Sequence, residues 1–323
     1  MPNNIENKKI LVVGAGNMAS EYVRVLKSMN INFAVVGNGK DKAERIKKEY
    51  GIDVFVGGID KYLENYSIDS DTYVINTVNV KYLEKVNLLL LSNGCKHLLS
   101  EKPGIISIKE GKRIVEALNG AKMYIAYNRR FYASSLAAEN IIREDGGVKS
   151  FNIEFTEWRH VFDNSENKDY LDILFLANSS HVVDMAFNLA GGEVTDITSI
   201  IAGENNIPWH KSGSIFGGVG KTNKGQIFTY GANWDAPGRW AAELNTENHR
   251  LIFRPLEKLQ LQDKGSVKIY DADVDYSLDE EFKPGLYKEV EAFMSDNNDG
   301  RLCTIEDQVR NMVIYTKMSG EKY

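Results

Sequence analysis

The sequence predicts an α/β chain: an N-terminal open parallel sheet wrapped by helices, then an α+β domain built on a mostly antiparallel open sheet. Three observations carry this. Short β-branched runs alternate with longer amphipathic segments through the first 124 residues, the pattern of βαβ units. From residue 151 apolar and polar residues alternate strictly, as in half-exposed antiparallel strands. Finally, a chain of 323 residues can bury about 75% of its extended surface, enough for two cores.

Taken in order, 10–13 is a compact apolar strand that runs straight into Gly14, Ala15 and Gly16. Met18, Tyr22, Val25, Leu26 and Met29 then recur at helical spacing. Strands follow at 33–36, 54–56, 73–76 and 97–99, with a charged helix at 40–50 and an apolar one at 83–91. After a strand at 124–127 and a helix beyond Ser134, Phe151, Ile153 and Phe155 alternate with Asn152, Glu154 and Thr156. Further strands are expected at 197–202, 214–219, 226–230, 251–253 and 256–261. A helix at 181–189 stops at Gly191 and Gly192, and another opens at Pro284, a residue suited to a first turn. The last begins at Thr304 with Asp307 three residues on, a capping-box spacing, and should bury Ile305, Val309, Met312 and Val313. The expected domains are 1–124 and 125–323.

Composition narrows the function. The chain carries 39 basic and 45 acidic residues, a formal net charge of −6, which argues against a nucleic-acid or anionic-membrane partner. With 43% hydrophobic residues and six prolines it is an ordinary globular protein. The two cysteines, Cys95 and Cys303, match no metal-ligand spacing and read as free thiols in a reducing compartment. His97, His160, His181, His210 and His249 form no ligand-spaced pair, so no metal is expected. Met1 to Lys9 lacks the form of a signal peptide, and no apolar run approaches the ~20 residues of a membrane span. A cytoplasmic protein is expected.

Gly14-x-Gly16-x-x-Ala19, between a strand and a helix, fits the fingerprint of a Rossmann dinucleotide-binding domain. Gly14 permits the tight turn, Gly16 lets the backbone approach a pyrophosphate, and Ala19 lets helix and strand close up. Asn17 and Met18 belong to the same turn, while Thr77 and Asn79 follow the strand at 73–76 and complete the expected cofactor site. An acid about twenty residues on would select NAD through the ribose. Asn38 stands there, followed by Lys40 and Lys42, which favours NADP. Gly217 to Thr222 imitates a nucleotide-binding P-loop, but the motif's first glycine is replaced by Ile215, and 221–225 reads as a hairpin turn.

The strand at 97–99 leads into Ser100-Glu101-Lys102-Pro103 at the carboxyl edge of the expected sheet, where open α/β sheets bind ligands. With the glycine fingerprint, this stretch resembles the Gfo/Idh/MocA family of oxidoreductases. Tyr127-Asn128-Arg129-Arg130-Phe131, His181-Val182-Val183-Asp184, Lys283 to Tyr287 and 304–309 resemble further segments of that family in the same order. The resemblance implies that Lys102 stands beside nicotinamide and substrate, with Glu101 holding its turn. A partly desolvated lysine near a positively charged ring yields its proton readily and can exchange one with a sugar hydroxyl. It also implies His181 as general base or hydrogen-bond donor, oriented by Asp184 one turn later.

One departure stands out: the family's dehydrogenases often carry an acid four residues before this histidine, and here that residue is Ala177. Arg130, Arg159 and His160 join Lys102 and His181 as expected substrate-binding residues. Trp158-Arg159-His160 and the loop from Trp234 to Trp240 suit a sugar ring or a nucleotide diphosphate, or equally an oligomer interface. The expected protein is an NAD(P)-dependent oxidoreductase acting on a secondary alcohol of a sugar, nucleotide sugar or cyclitol. It is expected to form a homo-oligomer, a dimer or tetramer, through the second domain. An NAD-dependent glycoside hydrolase and a non-catalytic dinucleotide sensor are the alternatives.

Overall fold

The computed structural model describes residues 8–164, 168, 170–295 and 299–323. They divide into two compact units, one reaching to Ala126 and taking in Leu286–Val309, the other Tyr127–Gly285 with Arg310–Tyr323. The chain thus passes between the units three times, after residues 126, 285 and 309, because the segment around residue 290 packs its apolar face on the first unit.

The first unit begins β1 (Lys9–Val13), α1 (Asn17–Ser28), β2 (Asn32–Gly37), α2 (Lys40–Tyr50), β3 (Val54–Val56), α3 (Gly58–Leu63) and β4 (Thr72–Asn76). It continues α4 (Leu83–Ser92), β5 (His97–Glu101), α5 (Ile108–Ala117) and β6 (Lys122–Ala126). The six strands are parallel in the order β6-β5-β4-β1-β2-β3, so the order reverses at β1. That reversal opens a crevice at the carboxyl ends of β1 and β4, where neighbouring connections leave in opposite directions. The strands read as continuous apolar runs because both faces are covered. Ile10 to Val13 are all buried, and so are Tyr73 to Asn76.

In the second unit, α6 (Ala133–Glu144), β7 (Ser150–Glu154), α7 (Arg159–Asp163) and α8 (Ser180–Ala190) precede a run of strands. These are β8 (Val194–Ala202), β9 (Ile215–Thr222), β10 (Ile227–Asn233), β11 (Ala241–Asn245), β12 (His249–Phe253), β13 (Gln260–Asp263) and β14 (Ile269–Asp271), followed by α9 (Ser277–Glu281). The sheet runs β14-β13-β12-β11-β7-β10-β9-β8. Its inner face packs on α8, where Phe187 meets Phe151 and Phe228 at ring separations of 6.1 and 5.4 Å. The helix α8 is enclosed almost all round and ends as expected at Gly191, which adopts the left-handed conformation. The chain then returns through α10 (Leu286–Met294) and β15 (Cys303–Thr304), which adds to the edge of the first sheet at β6, and closes with α11 (Ile305–Ser319).

Several expectations change. β7 was expected among antiparallel partners; it pairs antiparallel with β11 but parallel with β10, because the helical crossover through α8 brings the chain back in the same direction. The strand expected at 256–261 is shifted to β13, with Leu256 and Leu259 buried in the turn after Pro255. β11 lies where no strand was expected, directly after the Trp234–Trp240 loop, and α10 begins two residues after Pro284. The capping box of α11 forms, the Thr304 and Asp307 side chains each accepting from the other's backbone N–H at 3.1 Å, but Val313 is exposed. The buried stripe runs instead through Ile305, Gln308, Met312 and Tyr315. Gly217–Thr222 is strand, not phosphate loop; a Cβ at Gly220 would stand 2.3 Å from the Phe228 ring.

Candidate active site

In the first unit the site is made largely by the backbone. Gly14 leaves β1 with φ +122° and donates its N–H to Val36 O at 2.7 Å. A Cβ there would lie 2.3 Å from Thr77 Oγ1, so both the turn and the packing demand glycine. Thr77 is fixed in return, its N–H and hydroxyl both donating to Val13 O at 2.7 and 3.0 Å. Gly16 caps α1 without any side chain to satisfy the first-turn N–H groups, and a Cβ on it would meet nothing within 4 Å. This open, uncapped helix end offers its N–H groups and partial positive charge to a phosphate. Ala19 is wholly buried, as close helix–strand packing requires; Asn17 is exposed, and its carbonyl accepts from Arg45 at 3.0 Å. Met18 is half-buried.

A cleft of about 680 Å³ opens here, lined among others by Gly14, Gly16, Asn38, Lys42, Thr77 and Asn79. Gly57 and Gly58, both at positive φ, bring the backbone close to Asn38, and Asp41 and Asp60 share the wall. A second cavity of about 440 Å³ lies at Lys9, Asn32 and Thr72, the starts of the strands, away from every fingerprint residue. These features fit an adenine dinucleotide in the larger cleft: a glycine cradle that a Cβ would fill, a bare helix end, and polar side chains at the strand ends.

Lys102 follows the last residue of β5, is half-buried, and enters a cis bond to Pro103. Buried side chains fasten the turn around it. Asn76 donates to Asn87 at 2.8 Å, Asn87 donates to Ser100 Oγ and Gly104 O at 3.0 and 3.3 Å, and Gln308 donates to Pro103 O at 3.0 Å. Each of these buried polar groups is satisfied, so the network specifies a single turn geometry. Glu101 is buried beside Tyr22, whose hydroxyl also donates to Glu289 at 3.3 Å. Burial above all, then these two carboxylates, pushes the Tyr22 hydroxyl well above its ordinary range.

In the second unit, side chains from distant segments make the site. A π-helical turn, Phe175–Ser179, containing the buried Ala177, leads into α8, where His181 is buried. The His181 ring meets Tyr127 edge-on at 5.5 Å and Trp240 at 6.2 Å, and the Tyr127 hydroxyl donates to Ser180 Oγ at 3.2 Å. Arg130 and Asp184 form a buried bidentate pair at 2.7 and 2.6 Å. Arg159 is held by Asp163 at 3.0 Å and Asp235 at 2.5 Å, and His160 is exposed beside Trp158. Of the expected aromatic loop, Trp234 is core and donates to Phe155 O at 3.2 Å, while Trp240 belongs to the site.

Sequence reasoning missed Glu157. It is fully buried and accepts from Ser179 at 2.6 Å, from Asn178 at 3.1 Å and from Arg239 at 3.2 Å. Burial pushes its carboxyl up to about 7, against the pull of Ser179, Arg239 and Asn178. An acid directly after an in-out strand is a weak signal, and nothing in the spacing ties residue 157 to 178 and 239. Burial also pushes the Cys95 thiol up to about 12, which removes it as a nucleophile at neutral pH. Among the described residues no helix is long and apolar enough to cross a membrane, and no three His, Cys, Asp or Glu side chains are grouped to hold a metal.

A sheet that reverses at β1, above a glycine turn and a bare helix end, defines a dinucleotide-binding Rossmann unit. Residues 8–128 match the family model described as an oxidoreductase family with an NAD-binding Rossmann fold. Residues 8–128 therefore carry the NAD-binding Rossmann fold of the Gfo/Idh/MocA oxidoreductases, which supports a dehydrogenase or reductase. No curated protein matches its sequence. Among solved structures it is similar to UDP-N-acetylglucosamine 3-dehydrogenase from Acidithiobacillus ferrooxidans, with TM-score 0.73 and 14% identity over 96% of each chain. A dehydrogenase from Clostridium difficile aligns with TM-score 0.74 and 18% identity over 96% of this chain and 98% of that one. Levoglucosan dehydrogenase, solved with NADH and L-sorbose, aligns with TM-score 0.73 and 16% identity over 97% and 96%.

Proposed function

We propose that this chain oxidises a secondary alcohol of a sugar, nucleotide sugar or cyclitol, or runs the reverse reaction. The observation that carries the reading is Lys102, held one residue beyond β5 by the Asn76–Asn87–Ser100–Gln308 network, in the unit that bears the dinucleotide cleft. The bound nicotinamide supplies the hydride acceptor or donor. Lys102 and His181 handle the hydroxyl proton. Glu101 and Pro103 hold the lysine's turn, while Asp184 fixes Arg130 and with it the His181 helix. Arg159 and His160 contribute to substrate binding, and Gly14, Gly16, Asn17, Met18, Ala19, Asn38, Thr77 and Asn79 shape the cofactor site.

NADP is accepted in this reading because Asn38 and Lys42 line the cleft where an acid would repel a 2′-phosphate. Ile200, Ile215, Val219 and Ile227 leave an apolar outer face on the second sheet, which supports a homo-oligomer. The two buried free thiols agree with a cytoplasmic location. Absorbance at 340 nm against a panel of sugars tests the reaction. Net reduction of cofactor is expected; product without net reduction would mean a hydrolase, and binding with neither a sensor.

A further inference from the structure

Around the Trp240 indole the second unit gathers two guanidinium groups and one carboxylate. Arg239 Cζ lies 4.4 Å from that ring's centroid and 4.8 Å from that of Trp158, and Glu157 anchors it at 3.2 Å. Arg129 Cζ lies 5.2 Å from the Trp240 ring and 5.8 Å from Tyr132. The neighbouring arginines are matched by acids: Arg130 by Asp184, Arg159 by Asp163 and Asp235. Arg129 differs. It donates to Asn128 Oδ1 at 3.0 Å, its Nε is buried without an acceptor, and among the described residues no carboxylate lies within 4.0 Å of it. Burial pulls its guanidinium below the ordinary range, with Glu257 and Glu157 acting only from farther off.

Arg129 as a whole is half-buried, but a buried N–H left without an acceptor is costly, and such a group in a native site calls for a partner. The indole stacking and the Glu157 bond hold Arg239 in place before any ligand arrives, so less entropy is lost on binding. We propose that Arg129 and Arg239 form an anion-binding subsite that takes a carboxylate or phosphate group of the substrate, so that the preferred substrate is an acidic or phosphorylated sugar derivative. The two planar guanidinium groups suit either anion through paired N–H bonds. This deepens the proposed oxidoreductase reading and rests on it.

The test measures thermal protection of the full chain, with NAD⁺ present, by glucose, glucuronate, gluconate and glucose 6-phosphate. At least one charged probe should raise the melting temperature at concentrations where glucose does not; which one does separates carboxylate from phosphate. Arg129→Gln and Arg239→Gln should each raise that probe's half-saturating concentration roughly 10- to 100-fold. NAD⁺ titration of the same variants, staying within about twofold, shows that they are folded. Protection by glucose equal to that of the charged probes, no protection by any charged probe, or half-saturation unmoved in both variants would overturn the subsite. Net reduction of NAD⁺ by a neutral sugar alone would also overturn it while leaving the dehydrogenase reading intact; absence of any redox turnover alongside Arg129-dependent protection would do the opposite.

Discussion

The two units solve the problem of building a site in opposite ways. In the first, the backbone supplies most of it: the Gly14 turn, the bare N-terminus of α1, and the end of β5 that presents Lys102. In the second, everything rests on side chains, with Glu157, Asn178, Arg239, Trp240 and His181 drawn from segments far apart in sequence. Backbone sites are local and tolerate most changes except at their glycines. Side-chain sites need buried polar groups to match one another, so one lost partner leaves a charge stranded.

The widest gap between the units should come from Lys102→Ala, which touches chemistry without touching the cradle. Turnover should fall about 10²- to 10⁴-fold with dinucleotide affinity within a few-fold, measured by 340 nm kinetics and cofactor titration; unchanged turnover removes Lys102 from the mechanism. Asp184→Asn strands the Arg130 guanidinium inside the second unit and should destabilise it by roughly 3–5 kcal/mol. All four tryptophans, Trp158, Trp209, Trp234 and Trp240, lie in that unit, so fluorescence during denaturant unfolding reads it selectively.

Glu157 gives a pH signature. Its carboxyl titrates near about 7 folded against 4.5 in its ordinary state, so the folded chain holds the extra proton between those values. The stability tied to that proton is complete below about pH 4.5 and is lost as the pH rises to 7, up to roughly 3 kcal/mol. Wild type should therefore lose stability relative to Glu157→Gln across that window; parallel curves would mean that the carboxylate is ionised throughout. Smallest is Gly14→Ala, where positive φ alone costs about 1–3 kcal/mol and the new Cβ meets Thr77. Dinucleotide titration should show the loss while second-unit fluorescence stays at its wild-type midpoint.

What was legible in the chain follows the same division. The strand, glycine turn and helix at 9–28 could be read because their sequence pattern falls within twenty residues, and β5 with its Glu-Lys-Pro turn announced itself likewise. Thr77 lines the cleft, and its two bonds to Val13 cross from one strand to another. Val313 was misassigned because it lies one position, about 100° around the helix, from Met312 on the buried stripe through residues 305, 308, 312 and 315. The parallel pairing of β7 with β10 was out of reach, since strand direction is set by the path of the intervening chain. The lack of an acid at Ala177 was visible, but not that Glu157, twenty residues earlier, is buried against the next two residues.

The amino-acid sequence by itself determined the local devices: which segments alternate, where glycine must stand, which lysine follows the fifth strand, and which family residues 8–128 match. Only the tertiary structure decided which distant polar groups share a buried volume, how Glu157 comes to hold Arg239, and why Arg130 and Asp184 are bound to each other. The reason is physical. Turn and strand preferences are properties of a few consecutive residues, whereas the charge state and partners of a buried side chain depend on water being excluded by segments that meet only when the chain has folded.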